Sequence, residues 1–385
     1  MPHVTGLDLP FPFYAVSAFI FGLIIGSFLN VVIHRVPRGA SIVFPGSHCG
    51  SCGARLRAYD NIPLVSFAML GGRCRSCRER ISFTYPMVEL GAGLMFVALL
   101  FKTGPSWEVL LEFAFASVII ALIFIDARYH LLPNVITYPA FVFALISATA
   151  RAGWSERISL TFDISIIIPG LQTPFTPWRA ALFGGLLLAL AAPGFWLLDR
   201  LDPLLFGKYF DWEETDDEAR AEETEIEKEL EAERRHDRAI YATIILGAIA
   251  AVAWAAMVLF FSTKNQPAYE DAYSGLLRAS AGALIIGGLL WWIRALYFLI
   301  RGFEGMGLGD VKMMAVAGAF MGWIGALGVL LLGSIIGAAG GLIFIYLSKR
   351  GFKTPLPFGT CLGIASLIVM LTSTPFFSWH IAHYP

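Results

Sequence analysis

Charge is what this chain has least of. Asp, Glu, Lys and Arg make up 15% of its 385 residues, against 57% hydrophobic residues and a mean hydropathy of +0.68. A soluble protein of this length needs far more charge to cover its surface, so a soluble globular fold is excluded. Further absences narrow the options. No glycine-rich nucleotide fingerprint marks a cofactor pocket, and His34, His130 and His236 lack ligand spacing. No inverted-repeat symmetry of the kind found in secondary transporters is visible. The first apolar stretch, Phe13 to Val32, has no basic segment before it and no small-residue cleavage site after it. It is expected to stay as a helix. The net charge of −1 says little about partners, because charge is segregated along the chain, and nothing points to nucleic acid.

What the chain does have is repeated apolar runs of bilayer length. About ten spans are expected, near 13–33, 86–102, 108–126, 134–150, 179–198, 239–261, 276–300, 311–323, 325–347 and 356–374. The eighth is short and glycine-interrupted, which blurs its boundary with the ninth. The expected class is an all-α polytopic membrane protein with a small polar domain. Its parts are a first transmembrane helix (13–33), an Arg- and Cys-rich cytoplasmic domain (34–83) and a helical block (86–150). An insertion follows (151–275), with an extra helix pair and an acidic loop (199–238), and then a second helical block (276–374). Residues 211–237 of that loop hold 14 acidic and four basic side chains, read as a solvated helix or as a docking surface for basic segments.

Lysine and arginine cluster on alternate connections: 34–83, 127–133, 199–238, 301–310 and 348–355. The positive-inside rule makes those connections cytoplasmic and places the N-terminus outside. Two aspartates in apolar surroundings then acquire a shared address. Asp126 ends the third span and Asp310, in Gly305-Met-Gly-Leu-Gly-Asp310-Val-Lys312, opens the eighth, both toward the cytoplasm. A carboxylate at hydrocarbon depth is costly, and persists mostly where it faces a polar cavity, pairs or does chemistry. Two carboxylates in one site share a proton: one activates water while the other polarises a carbonyl. Structural alternatives are a helix cap for Asp310 and pairing with Arg128 for Asp126. Gly307 and Gly309 would let the backbone bend and a substrate strand approach. Lys312 either sits near Asp310 or snorkels from a helix end. Glu89, Asn30 and Asn134 are polar groups at helix ends, open to cavity, packing or substrate roles, while Trp291 and Trp292 read as packing or interface anchors.

Four of the five cysteines form two knuckles, Cys49-Gly-Ser-Cys52 and Cys74-Arg-Ser-Cys77, with 21 residues between them. Two CxxC pairs offer four thiolates to one zinc ion. Disulfides or a redox pair are the rival reading, which a cytoplasmic location disfavours. Cys361, in the last apolar run, reads as a small core hydrophobe.

These residues resemble the type IV prepilin peptidases, the bifunctional leader peptidase/N-methyltransferases of bacterial pilus and type II secretion systems. The likeness runs from Gly26-Ser-Phe-Leu-Asn-Val-Val-Ile-His-Arg-Val-Pro37 through the cysteine pairs, Tyr59-Asp-Asn-Ile-Pro63 and Tyr85-Pro-Met-Val-Glu89. It resumes at Asp126 with Leu132-Pro133-Asn134, at Gly305 to Lys312, and at Pro357-Phe358-Gly359. Where the family usually has Pro-Asp, this chain has Pro133-Asn134, and the insertion adds two spans to the family's usual eight.

The resemblance implies an aspartic endopeptidase of the bacterial inner membrane, with Asp126 and Asp310 as the catalytic pair. It would remove the short basic leader of type IV prepilins or pseudopilins, cutting after a glycine. It implies methylation of the new α-amine by S-adenosylmethionine, at residues the sequence does not identify. The alternatives are a peptidase without methylation, a proton-coupled transporter and a zinc-dependent membrane scaffold.

Overall fold

The computed structural model describes residues 10–152, helical positions between 185 and 201, residue 249, and residues 266–301, 305–348 and 357–372. The expected helix at 239–261, most of that at 179–198 and the acidic stretch 211–237 lie outside the described residues. The described secondary structure is helical, and no strand occurs among those residues. Among the described residues, five helices are long and apolar enough to cross a membrane. Contacts divide the chain into two compact units, one of residues 1–133 and 331–385, the other of residues 134–330.

In the first unit α1 (Phe11–Arg35), α3 (Thr84–Thr103) and α4 (Glu108–Tyr129) are bilayer-length helices. At a 1.5 Å rise, 20 to 25 residues reach about 30–37 Å. Between α1 and α3 the chain forms a small polar domain with one short helix, α2 (Val65–Met69). Helices α1 and α3 pack through small residues, as membrane helices must where lipid supplies no hydrophobic drive between them. A Cβ on Gly22 would lie 2.7 Å from the Ala92 carbonyl oxygen, and one on Gly26 would lie 2.6 Å from the Glu89 Cα. Phe96 of α3 stacks on Phe113 of α4 at 4.1 Å, nearly parallel. The polar domain is tied to this bundle. The buried Glu89 carboxylate accepts the Leu64 N–H at 2.9 Å, holding that residue at a φ of 58° where α2 begins. Asn30 of α1 donates to the Tyr85 carbonyl at 3.1 Å. Both residues, left open between several roles by the sequence, tie structural elements together.

The second unit contains α5 (Asn134–Ala152), α6 (Gln266–Arg301) and the first part of α7 (Leu308–Ser348). Helices α6 and α7 cross where Gly282 meets Gly318, and a Cβ on either would come within 2.4 Å of the other's carbonyl oxygen. Helix α7 is broken at Gly322, whose φ of 76° and ψ of 169° leave the helical region. This break is the glycine interruption foreseen between the eighth and ninth spans. It frees carbonyls at the end of the preceding segment, and Arg151 of α5 takes one of them. Its Nη2 donates to the Phe320 carbonyl at 2.7 Å while the guanidinium lies 4.0 Å from the Phe320 ring centre. A cation at a helix C-terminus is also favoured by the helix dipole. The segment before the break is buried without interruption from Asp310 to Phe320.

The rest of α7 belongs to the first unit, with the last described helix, α8 (Phe358–Thr372). Gly333 meets Leu362 there, and Cys361 sits half-buried beside Gly337, the packing role expected of it. At 15 residues α8 is shorter than the span expected at 356–374.

Candidate metal centre and catalytic aspartates

The two knuckles are built alike. In each, one antiparallel bridge closes the loop: His48 with Arg55, and Arg73 with Arg80. In each, the first cysteine's N–H donates to the carbonyl five residues on, Ala54 or Glu79, at 2.9 and 2.8 Å. In each, the residue four places after that cysteine, Gly53 or Arg78, takes a positive φ of 69° or 61° and donates back to its carbonyl. The turns face both thiol pairs inward. The four sulfurs all lie within 4.8 Å of one another, with Cys49 and Cys77 3.8 Å apart, and none forms a disulfide. A tetrahedral zinc ion with bonds of about 2.3 Å requires sulfurs about 3.8 Å apart. The donor set therefore fits one tetrahedral metal ion, and the arrangement is not that of two disulfides.

The backbone N–H groups of Cys52 and Ser51 point at Cys49 and draw its thiol down to about 6. For Cys77 the Glu79 N–H pulls the same way. Desolvation and the neighbouring thiols Cys52, Cys74 and Cys49 outweigh it and push the group up to about 12. Beside the knuckles, Asp60 receives two hydrogen bonds from Arg75, at 2.7 and 3.0 Å, and Arg75 also lies over the Tyr59 ring. These contacts explain the Tyr59-Asp-Asn stretch as a clamp between the 3-10 turn at Ala58–Asn61 and the second knuckle.

Asp126 lies within a turn of the end of α4 and is 5% exposed. Its partner is Thr360 in the first turn of α8. The Thr360 N–H and hydroxyl both donate to Asp126 Oδ2, at 2.6 and 2.9 Å. The proposed pairing with Arg128 is not what forms, since that guanidinium lies over the Tyr129 ring at 5.6 Å. A burying helix end with unsatisfied N–H groups explains the geometry: α8 directs its positive terminus at the carboxylate. The Pro357-Phe358-Gly359 stretch starts that helix, and so delivers Thr360.

Asp310 is the third residue of α7 and is 9% exposed. It lies inside the first turn and not at the cap, and its N–H donates to the Gly307 carbonyl at 3.3 Å. The loop before it is gripped by α6. Arg294, 1% exposed, donates from Nε to the Met306 carbonyl at 3.0 Å, and the Tyr297 ring packs so closely on Gly305 that a Cβ there would sit 2.5 Å from it. Crowding thus demands glycine at 305. At Gly307 the nearest atom to an added Cβ is 3.9 Å away, so no neighbour requires that glycine.

Lys312 does not snorkel. It is 4% exposed and forms an ion pair with Asp199, while its Nζ also donates to Asn134 Oδ1 at 2.8 Å. Asp199 was read as the first residue of a polar loop. It is instead helical, with its side chain 17% exposed. The sequence reading missed Thr360, Arg294 and Asp199. Arg294 alone carried a signal, as an arginine in the middle of an apolar run.

Residues 20–103 match the family model of the bacterial peptidase A24 N-terminal domain, and residues 236–342 that of the type IV leader peptidase family. The four knuckle cysteines fall in the first match and Asp310 in the second, while Asp126 and Asp199 lie in neither. The chain is 28% identical to a prepilin leader peptidase/N-methyltransferase of Aeromonas hydrophila, over 98% of this chain and 96% of that protein. It is 25% identical to that of Burkholderia pseudomallei, over 97% of this chain and 88% of that protein. A Myxococcus xanthus enzyme of the same name is 46% identical over 131 residues, 34% of this chain and 39% of that protein. No solved structure matches the chain.

Proposed function

The chain belongs to the type IV leader peptidase family, and we propose that it is a membrane aspartic endopeptidase that cleaves type IV prepilins or pseudopilins. Asp126 and Asp310 are its catalytic pair. The observation that carries this reading is that each is a buried carboxylate within a turn of a helix end. The charge pattern of the connecting loops supports placing both ends on the cytoplasmic side of the membrane. The ionised member of the pair takes a proton from water as it attacks the scissile carbonyl, and the protonated member donates to the carbonyl oxygen. On Asp126 both Thr360 donors fall on Oδ2, which orients the carboxylate. The open space at Gly307 suits close approach of the substrate backbone.

The cut falls after the glycine that ends a short basic leader. The new α-amine is then methylated from S-adenosylmethionine, a step supported by the names of the full-length relatives. Zinc, held by Cys49, Cys52, Cys74 and Cys77, organises the cytoplasmic domain. Four thiolates fill a tetrahedral shell and leave no open position for water, so its contribution is structural.

Mass spectrometry of a co-expressed prepilin's N-terminus tests the reading. Cleaved and methylated product is expected from the parent, and uncleaved prepilin from Asp126→Asn or Asp310→Asn. Cleavage without methylation identifies a peptidase alone. Normal processing by either variant removes that aspartate from the pair.

A further inference from the structure

In the second unit a polar cluster gathers at Lys312, two residues after Asp310. Lys312 donates to Asp199 Oδ1 and to Asn134 Oδ1, and its ammonium sits 5.4 Å from the centre of the Tyr138 ring. Asp199 Oδ2 accepts from Asn134 Nδ2 at 3.0 Å and from the Tyr138 hydroxyl. The Asn134 amide is thus used at both ends, its oxygen accepting a hydrogen bond from the cation and its nitrogen donating one to the anion. Tyr138 is 1% exposed, Lys312 4% and the Asp199 side chain 17%, so the ion pair is only partly screened by water. Residue 199 lies outside both family-model matches.

The placement matters because Asp310 lies on the first turn of α7 and Lys312, two residues on, opens the second. The loop before that turn is fixed by Arg294 on the Met306 carbonyl and by Tyr297 on Gly305. The turn after it is fixed by the Lys312 cluster. With one end released, a helix start on a glycine-rich loop is free to rotate or slide. A shift of about 1 Å in a reacting group costs on the order of 100-fold in rate.

We propose that Asp199 is a positioning residue: its carboxylate anchors Lys312 and thereby holds the turn that carries Asp310. The proposal rests on the catalytic reading of Asp310. It also accounts for the residue types. The buried Lys312 cation is matched by the Asp199 anion, and with the acid at 199 a neutral donor at position 134 fits between them. A second carboxylate there would stand about where the Asn134 amide nitrogen now lies 3.0 Å from Asp199.

The test is a charge relocation in the full chain, reconstituted in lipid and assayed on a prepilin, with turnover normalised to folded protein. Asp199→Asn should lower kcat about 10- to 100-fold while KM stays within about twofold. Asn134→Asp alone, which sets two acids face to face, should also lower kcat. The double variant Asn134→Asp/Asp199→Asn restores one anion beside Lys312 and should return kcat to within about threefold of the parent. Parental kcat in Asp199→Asn, or a folded double variant no faster than Asp199→Asn, overturns the proposal. If Asp199→Asn does not fold, the double variant decides: recovery of folding and turnover supports the pairing, and no recovery overturns it. Asp310→Asn in the same assay separates the two readings. Activity there refutes the catalytic assignment, while an inactive Asp310→Asn beside a parental Asp199→Asn refutes only the positioning role.

Discussion

Thr360→Val is the sharpest probe of how Asp126 is held. Valine keeps the shape and the backbone N–H, so the 2.6 Å bond from that N–H to Oδ2 survives and the 2.9 Å bond from the hydroxyl is lost. The hydroxyl has one proton, and the carboxylate is a nearer acceptor than the Ile123 carbonyl at 3.2 Å. Ile123 keeps its helical partner within α4, so the loss falls on Asp126. A hydrogen bond to a charged group is worth about 1.5–3 kcal/mol. With one of two donors retained, the lower part of that range applies, and each 1.36 kcal/mol is a factor of about ten in rate. Cleavage by the purified variant in lipid should therefore fall about 10- to 30-fold in kcat with KM nearly constant. Thr360→Ser should stay close to the parent. Parental turnover in Thr360→Val, in an assay where Asp126→Asn is inactive, would refute the idea that this hydroxyl orients the carboxylate.

Helix contact gives a second expectation. Gly26→Ala forces a Cβ to within 2.6 Å of the Glu89 Cα and should cost about 1–3 kcal/mol in thermal unfolding, whereas Gly91→Ala, with nothing within 4 Å, should be neutral or mildly stabilising. Metal analysis of the purified chain should find about one zinc per molecule, absent from Cys49→Ser/Cys74→Ser, and folded metal-free protein should still cleave. A strict need for zinc in the chemical step would contradict the structural role. The last expectation concerns acid. Hydrogen bonds from Arg75 hold the Asp60 carboxyl below the ordinary carboxylate range. A group lowered on folding stabilises fully above its unfolded value and loses that contribution as pH falls through the folded one. The parent should melt above Asp60→Asn near neutrality, and the gap should close on acidification; a gap independent of pH would exclude this pairing as its source.

Local patterns in the chain were enough to specify its helical class, the five described helices of membrane length and the pairing of its cysteine knuckles. Spans are legible because a bilayer imposes a length of apolar sequence on any helix that crosses it. The knuckles are legible because each pair of ligands comes from one tight turn, so spacing alone encodes the geometry. Even the interruption of the eighth span could be read, since Gly322 marks its own break. The partners of the buried polar groups could not. Asp126 meets a threonine 234 positions away, and Lys312 an aspartate 113 away. Nothing in the neighbourhood of Thr360, or of Asp199 at the edge of an acidic stretch, distinguishes it from residues that face lipid or water. Those pairings exist only where packed helices bring distant polar atoms out of solvent together, so the fold chooses them.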